Sequence, residues 1–200
     1  MATLSVNVTE QHVERELCRK SFPDFLERVP IEEPVLPNVP GSGGVIPFAL
    51  WPHLEDFAHD LITYRLLAKA KARQTGFTWE VGAYLDWLCN YSPGSDWLWL
   101  SKSEGDAVEG LGRVATVHRL LPKHLVTPWA KPPSTLALAY ANGSHVTAMA
   151  STEDAGRGHT YSGVVQDEAD FHPYLSQNFA AVKPTIAAGG QFIMLSPWNN

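Results

Sequence analysis

Two adjacent carboxylates, Asp167 and Glu168, directly follow the apolar run 161–166. Such a run predicts a buried strand, and the carboxyl end of a strand is where an α/β protein usually holds its ligands. One carboxylate could hold the shell of a Mg²⁺ ion while its neighbour orients and deprotonates a water molecule. The pattern therefore indicates Asp167 as a metal ligand and Glu168 as a catalytic base. The alternative is a solvated acidic strand end without a ligand.

A second segment, between a predicted strand and a predicted helix, has the character of a phosphate-binding loop. Backbone N–H groups at such a turn and at the helix N-terminus can wrap an anion. Gly76 would let the backbone approach a phosphate closely, and Thr78 could offer its hydroxyl to Mg²⁺. The segment consists of Lys71, Ala72, Arg73, Gln74, Thr75, Gly76, Phe77 and Thr78.

This loop departs from the usual GxxxxGK(S/T) pattern at two positions. Lys71 stands at the first glycine position and Phe77 at the lysine position. Lys71 could still reach the β- and γ-phosphates from the strand end, and Arg73 could act in the same chain on the γ-phosphate. Taken alone, the segment could also be a basic strand–helix turn without a ligand. The loop and the acidic strand together favour an ATP site and a Mg²⁺-dependent ATPase.

Strand and helix patterns alternate along the chain, which predicts an α/β fold with a mainly parallel sheet. Asn142-Gly143, between two β-like runs, is a strong hairpin signal. The predicted strands are 64–71, 96–100, 134–140, 145–150, 161–166 and 192–195, and the first of them is expected to be buried. The predicted helices are 9–20, 22–29, 52–63, 77–89 and 104–121.

Length and composition suit one α/β domain with a small N-terminal appendage. With 200 residues, of which 44% are hydrophobic, the chain can bury a sizeable core. Residues 1–43 are interpreted as a helical arm with a linker, and residues 44–200 as the nucleotide-binding domain. The Pro- and Gly-rich stretch 30–47 predicts an extended linker that pins the arm to the core.

The formal net charge of -6 argues against a free-standing DNA-binding module, which is usually basic. Any DNA contact would be a local patch or a surface assembled from several subunits. No apolar run is long enough to cross a bilayer, so no membrane partner is expected.

A rival transition-metal cluster has spacings that fit no zinc pattern. Its members would be His159, Asp167, Asp170 and His172.

Four motifs give the chain a resemblance to the terminase large subunit family of tailed bacteriophages, over roughly residue 44 to the C-terminus. Some members of that family place the loop lysine at the start of the loop, where Lys71 stands here. Leu54 departs from the family, because a glutamine often occupies that place, and Gln166 is polar where an apolar residue is common. The motifs are Pro47-Phe48 with Trp51-Pro52-His53, Lys71 to Thr78, Asp154 to Gly158 with Val164 to Phe171, and Ser196 to Asn200.

The resemblance implies a P-loop NTPase of the ASCE/RecA-like class, a three-layer sandwich that binds ATP and Mg²⁺. It also implies a motor that moves double-stranded viral DNA into a procapsid, in the cytoplasm of the infected host rather than in the mature virion. The implied partners are the portal protein, the small terminase subunit and further copies in a ring. A nuclease domain would follow beyond Asn200. Phe48 and Trp51 would lie on the adenine side, and Ser196 would sense the γ-phosphate.

Arg157 lies in a Gly-rich loop and could complete the site of a neighbouring subunit in a ring. Arg113 and Arg119 compete for that role, and each of the three could instead be a solvated surface arginine. Two rival functions stay open. One is a helicase-like DNA translocase, suggested by the acidic run 167–170. The other is a nucleotide-binding assembly domain that is inert because Phe77 replaces the loop lysine.

Overall fold

The computed structural model describes residues 8–39, 41–72 and 74–197, with a six-stranded sheet at the centre. Numbered in chain order, the strands are β1 (Pro30–Glu33), β2 (Gly44–Pro47), β3 (Leu66–Lys71), β4 (Asp96–Ser101), β5 (Ala137–Ala139), β6 (His145–Ala150), β7 (Gly163–Gln166) and β8 (Gln191–Pro197). The helices are α1 (Val8–Lys20), α2 (Phe22–Leu26), α3 (Pro52–Thr63), α4 (Phe77–Tyr91), α5 (Glu104–Leu120) and α6 (Leu175–Ala187). A short 3₁₀ turn spans Ala169–Phe171.

The strand order β3-β8-β7-β4-β6-β5 confirms the predicted α/β fold with a mainly parallel sheet. Only β5 runs antiparallel, at one edge, where it pairs with β6 through the predicted Asn142-Gly143 turn. Because the other strands share one direction, the carboxyl ends of β3, β8, β7 and β4 lie on the same side of the sheet. Strand β8 separates the loop strand β3 from the acidic strand β7.

Helices cover both faces of the sheet, which gives the predicted three layers. Strand residues point alternately to the two faces. On β4, Trp99 therefore joins the larger core with Leu85 of α4, whereas Leu98 joins a smaller core with Val182 of α6. None of the described helices combines the length and the hydropathy of a membrane span.

The N-terminal arm packs directly on the larger core. Phe22 and Phe25 of α2 are fully buried there, and the Trp87 indole of α4 donates a hydrogen bond to the Cys18 carbonyl at 2.7 Å. Arg15 of α1 donates to the His124 carbonyl at 2.6 Å. These contacts join the arm to the helix layer of the sheet.

Three elements differ from the sequence prediction. Strand β3 was predicted to be buried, but it is an edge strand whose residues alternate in exposure, with Leu66 60% exposed. Helix α6 was not predicted, and Pro184 lies inside it. The ends of the expected linker pair as the antiparallel hairpin β1–β2, in which Ile31 lies opposite Ile46.

Candidate functional site

The predicted phosphate loop connects β3 to α4 by a turn with two left-handed residues. Gln74 has a φ of 58° and Gly76 a φ of 87°, and Gly76 is the N-cap of α4. The His53 imidazole holds the turn from outside by donating from Nε2 to the Thr75 carbonyl at 3.0 Å. The Thr75 hydroxyl donates to the Ala72 carbonyl at 2.9 Å. The first N–H groups of any helix have no partners within it, so those of α4, at the end of this turn, can bind an anion.

Phe77 occupies the position where the usual loop pattern has a lysine, and its side chain is buried in the core. Its ring packs edge-on against Phe57, with the centroids 4.9 Å apart, and lies 5.4 Å from the His53 ring. Phe77 thus anchors the first turn of α4 and supplies no cation. The positive charge that the structure places in the loop is Lys71, while Arg73 lies outside the described residues.

Lys71 joins the loop to the acidic strand. Its ammonium donates to the Thr78 hydroxyl and to Asp167 Oδ1, each at 2.7 Å. The Lys71 and Asp167 side chains are only 11% and 10% exposed, so this ion pair is largely withdrawn from water. The three residues most directly implicated in phosphate and metal binding therefore meet at one point.

Glu168 stands beside Asp167 with its backbone in the left-handed region, at φ 55°. Such a conformation is costly for a glutamate and is often kept at functional sites. Its carboxylate accepts a hydrogen bond from Lys102 Nζ at 2.6 Å. That ammonium also lies 3.4 Å from Asp106, and the bond to Glu168 raises the pKa of Lys102.

Lys102 was missed by the sequence analysis, although a signal for it existed. It directly follows β4, and the carboxyl end of β4 lies beside the carboxyl end of β7, which Asp167 and Glu168 follow. Once a parallel sheet is predicted, every residue that follows a central strand is a candidate for the site.

A cavity of about 810 Å³ opens in front of these residues. Its walls are residues 31–34 and 46–49 of the β1–β2 hairpin, residues 74–79 of the loop and α4, and the side chains of Lys71, Lys102, Arg113 and Glu168. The volume falls in the range of pockets that hold small molecules. The hairpin supplies apolar residues, among them Ile31, Ile46 and Pro47, together with Glu32 and Glu33. Cations and N–H groups also line the cavity, so it offers contacts for both an apolar ring and an anionic tail.

Most of the predicted site residues line this cavity. Phe48 is nearly buried, and Trp51 is 51% exposed with its ring 5.5 Å from His53. The predicted residues among the lining are Lys71, Ala72, Gln74, Thr75, Gly76, Phe77, Thr78, Phe48, Trp51 and Glu168.

Asp167, Ser196 and Arg157 are not among the described lining residues of the cavity, and Asp167 is joined to it through Lys71. The Ser196 hydroxyl accepts from the Asp170 N–H at 3.3 Å, which ties the end of β8 to the turn after the acidic strand. Arg157 is exposed and pairs with Asp154 at 2.8 Å. Of its competitors, Arg113 lines the cavity, and Arg119 pairs with Glu32 at 2.8 Å on the surface.

The oxygen atoms of Thr78 and Asp167 are the kind of donors that Mg²⁺ prefers, and this ion commonly uses one or two protein ligands with phosphates and water. The donor set therefore fits Mg²⁺ bound together with a phosphate. The rival transition-metal cluster does not form, since no three described His, Cys, Asp or Glu residues are arranged to hold a metal. His172 instead donates to the Asp167 carbonyl at 2.8 Å, and His159 packs beside Tyr161.

Comparison with known proteins places the fold. No protein-family model matches the chain. The ATPase domain of the large terminase of Thermus phage P74-26 is similar, with 23% identity and a TM-score of 0.50, over 68% of this chain and 61% of that one. The large terminase of bacteriophage HK97 is similar with 16% identity and a TM-score of 0.66, over 90% of this chain and 37% of that one. The chain thus has the fold of these terminase domains and spans less than two thirds of each.

Proposed function

We propose that this chain is the ATP-hydrolysing motor domain of a terminase large subunit, which drives double-stranded viral DNA into a procapsid. One observation carries the proposal: Lys71 contacts both Thr78 and Asp167 at 2.7 Å. That contact joins a loop shaped for phosphate to a strand end shaped for a metal and a water molecule, at the mouth of a cavity of suitable size. The fold shared with large terminases supports the same function.

In the proposed mechanism the nucleotide lies with its base towards the apolar hairpin wall, near Phe48 and Trp51. The N–H groups of the loop and of α4 hold the phosphates, and Lys71 and Arg73 compensate their charge. Thr78 and Asp167 would hold Mg²⁺, which neutralises charge that develops on the phosphate oxygens.

Glu168 acts on the water molecule in this mechanism. Its carboxylate accepts the proton as the water attacks the γ-phosphate, and the bond from the γ-phosphorus to the bridging oxygen breaks. Products are ADP and inorganic phosphate. Ser196 transmits the change in the site, because its hydrogen bond to Asp170 links β8 to the acidic strand.

The proposed motor contains several copies of this chain and further proteins. We propose a homo-oligomeric ring that docks on the portal of the procapsid, works with the small terminase subunit and acts in the host cytoplasm. Arg157 is proposed to reach the site of a neighbouring copy, because it is exposed and lies away from its own cavity. A nuclease domain is proposed to follow in the full-length protein.

The test is calorimetric titration of Mg²⁺ with a non-hydrolysable ATP analogue. We expect saturable binding that Lys71→Ala weakens at least tenfold, because the phosphates lose their main described cation. Lys69→Ala is the matched control, since Lys69 lies on the same strand but pairs with Asp60 at 3.3 Å, outside the cavity lining. Equal affinity of Lys71→Ala and the unaltered chain would refute the proposed loop.

The two rival functions make different predictions. An inert assembly domain would bind the nucleotide without turnover even in an assembled ring, so repeated turnover by purified rings excludes it. A helicase-like translocase would separate DNA strands, whereas a packaging motor fills empty procapsids. Strand separation and procapsid filling by the full-length protein therefore distinguish these two.

A further inference from the structure

The position of Lys71 has a consequence for how a metal can enter the site. Its Nζ lies 2.7 Å from the Thr78 hydroxyl oxygen and 2.7 Å from Asp167 Oδ1. These are the same two atoms that would ligate Mg²⁺, at about 2.1 Å each. An ion bound to either oxygen would lie within about 5 Å of the ammonium. The Lys71 and Asp167 side chains are nearly buried, so water would screen the repulsion between the Lys71 ammonium and the metal ion only weakly.

We propose that Lys71 takes the place of Mg²⁺ in the nucleotide-free chain, so that the metal can bind only when nucleotide phosphates draw the lysine away. The inference rests on the proposed function and adds a rule for the order of binding. The lysine neutralises Asp167 while the site is empty, which keeps a buried carboxylate from standing unpaired. The lysine also occupies the Thr78 hydroxyl and the Asp167 carboxylate, so that free Mg²⁺ cannot use them as ligands.

The geometry allows Lys71 to make this exchange. Its backbone is fixed as the last residue of β3, opposite Pro197 of β8. The four-carbon stem is flexible, and Lys71 borders the cavity in which the phosphates would lie. A phosphate would give the ammonium a new anionic partner and would release both oxygens to the metal. A lysine at the usual loop position, where Phe77 stands, would approach from the helix rather than from the end of the strand.

Coupling of this kind is reciprocal. If the phosphates open the metal site, the metal must in turn increase the affinity for the nucleotide by the same factor. In a chain without the lysine ammonium, the part of this coupling that comes from the lysine should disappear, because Thr78 and Asp167 are already free, whereas the part that comes from phosphate oxygens bound to the metal remains.

The experiment measures Mn²⁺ binding by electron paramagnetic resonance, first without any nucleotide. We expect Lys71→Met to bind Mn²⁺ at least tenfold more tightly than the unaltered chain, and Asp167→Asn in the same variant to remove the gain. Lys69→Met, which removes an ammonium from the same strand, should behave as the unaltered chain. Circular dichroism of each variant establishes that it is folded.

Equal Mn²⁺ affinity of the unaltered chain and Lys71→Met, including no detectable binding by either, would overturn the inference. So would a gain that persists after Asp167→Asn. A second titration adds a non-hydrolysable ATP analogue, whose phosphates supply metal ligands in both chains; it should raise the Mn²⁺ affinity of the unaltered chain by a factor at least tenfold larger than that of Lys71→Met. If the analogue binds neither chain, the proposed function fails, whereas the nucleotide-free titration still decides whether Lys71 blocks the metal.

Discussion

At the residue scale, each carboxylate of the adjacent pair Asp167 and Glu168 forms an ion pair with a different lysine. Lys71 contacts Asp167, and Lys102 contacts Glu168. The first pair is nearly buried, while the side chains of the second are 38% and 37% exposed. The exposed pair should contribute little to folding, because water screens it. Its role is therefore better sought in the position of the Glu168 carboxylate.

Replacing Lys102 with methionine tests that role. For the proposed motor in its full-length form, we expect the rate of phosphate release to fall about tenfold or more, because the proposed base, Glu168, contributes roughly 10²–10⁴ in rate only when it is well placed. Nucleotide affinity should fall by a smaller factor than the rate, and the urea midpoint should change little. Lys123→Met, on the exposed surface, is the control. An unchanged rate for Lys102→Met would show that Glu168 needs no such partner.

Glu80 is an unusual residue behind the loop, in the first turn of α4. Its carboxyl group is fully buried, and neither oxygen has a hydrogen-bond partner among the described residues. Burial raises its pKa to about 9, with Lys69 acting to lower it and Asp60 to raise it. The group is therefore protonated at neutral pH in the folded chain but ionised when the chain unfolds.

This difference gives a pH dependence of stability with a definite sign. The folded state holds one more proton than the unfolded state between pH 4.5 and about 9, so stability falls with rising pH across that window. We expect Glu80→Gln to remove the loss, which amounts to about 1 kcal/mol per pH unit. Urea unfolding at several pH values checks this: the advantage of the variant should widen from pH 5.5 to pH 8.5, and parallel curves would contradict it.

Some residues of the candidate site could be predicted from the sequence, and others could not. Lys71 and Thr78 were predicted from a loop between a strand and a helix that resembles a phosphate loop, and Asp167 from two carboxylates at the end of an apolar run; both patterns are local, so they can be recognised without knowledge of the packing. Lys102 was missed because its identity as a site residue depends on the neighbours of β4 in the sheet, and strand order is not written in local patterns. That Phe77 would be buried could not be known before α3 was placed against α4.

At the scale of elements, α4 depends on the glycine that begins it. Gly76 is in the left-handed region at φ 87°, and a Cβ atom there would lie 2.9 Å from Leu54 Cδ1 of α3. The same residue shapes the predicted phosphate loop. Glycine is therefore required at position 76 for two reasons, the left-handed backbone conformation and the close packing of α3 on α4.

Gly76→Ala should lower the free energy of unfolding by about 1–2 kcal/mol from backbone strain alone, with more from the contact with Leu54. We expect weaker binding of the ATP analogue as well, because the loop must change shape. Gly112→Ala makes the same chemical change on α5, where nothing lies within 4 Å, and should be neutral or stabilising. Urea unfolding of the two variants compares them directly, and equal midpoints would contradict the expectation.

Strongly periodic elements were the ones that the sequence predicted well. Helix α3 has its predicted bounds, Pro52–Thr63, because proline at its first position marks the start clearly. Helix α6 was missed because Pro184 breaks the expected pattern, although it lies near the end of the helix. The β1–β2 hairpin was missed because each strand has only four residues, and the Pro- and Gly-rich loop of residues 34–43 between them was interpreted as an extended linker rather than as a turn.

At the scale of the whole molecule, the N-terminal arm belongs to the site. The chain passes from the buried α2 into the β1–β2 hairpin, and that hairpin lines the cavity. The boundary at residue 43 separates β1 from β2, so the two parts share one hairpin.

Removal of residues 1–43 should therefore abolish both cooperative folding and nucleotide binding. Loss of a buried phenylalanine alone costs about 3–5 kcal/mol, and two are removed, against a total stability of roughly 5–15 kcal/mol. Circular dichroism in urea and titration of the ATP analogue measure the two effects. Arg119→Ala, which only breaks the surface pair with Glu32, should change neither. A shortened chain that unfolds cooperatively at the original midpoint would show that the arm is dispensable.

The Asn142-Gly143 turn also governs how the protein ages chemically. Asn-Gly pairs cyclise to a succinimide when the glycine nitrogen attacks the asparagine side chain, which requires a flexible backbone. Here the Gly143 N–H donates to the Tyr140 carbonyl at 3.0 Å, and the Asn142 amide donates to the Cys89 carbonyl at 2.8 Å. Both bonds must break before the ring can close, so deamidation should be slower in the folded chain than in an unfolded one, and isoaspartate at Asn142 should form faster in urea than in buffer.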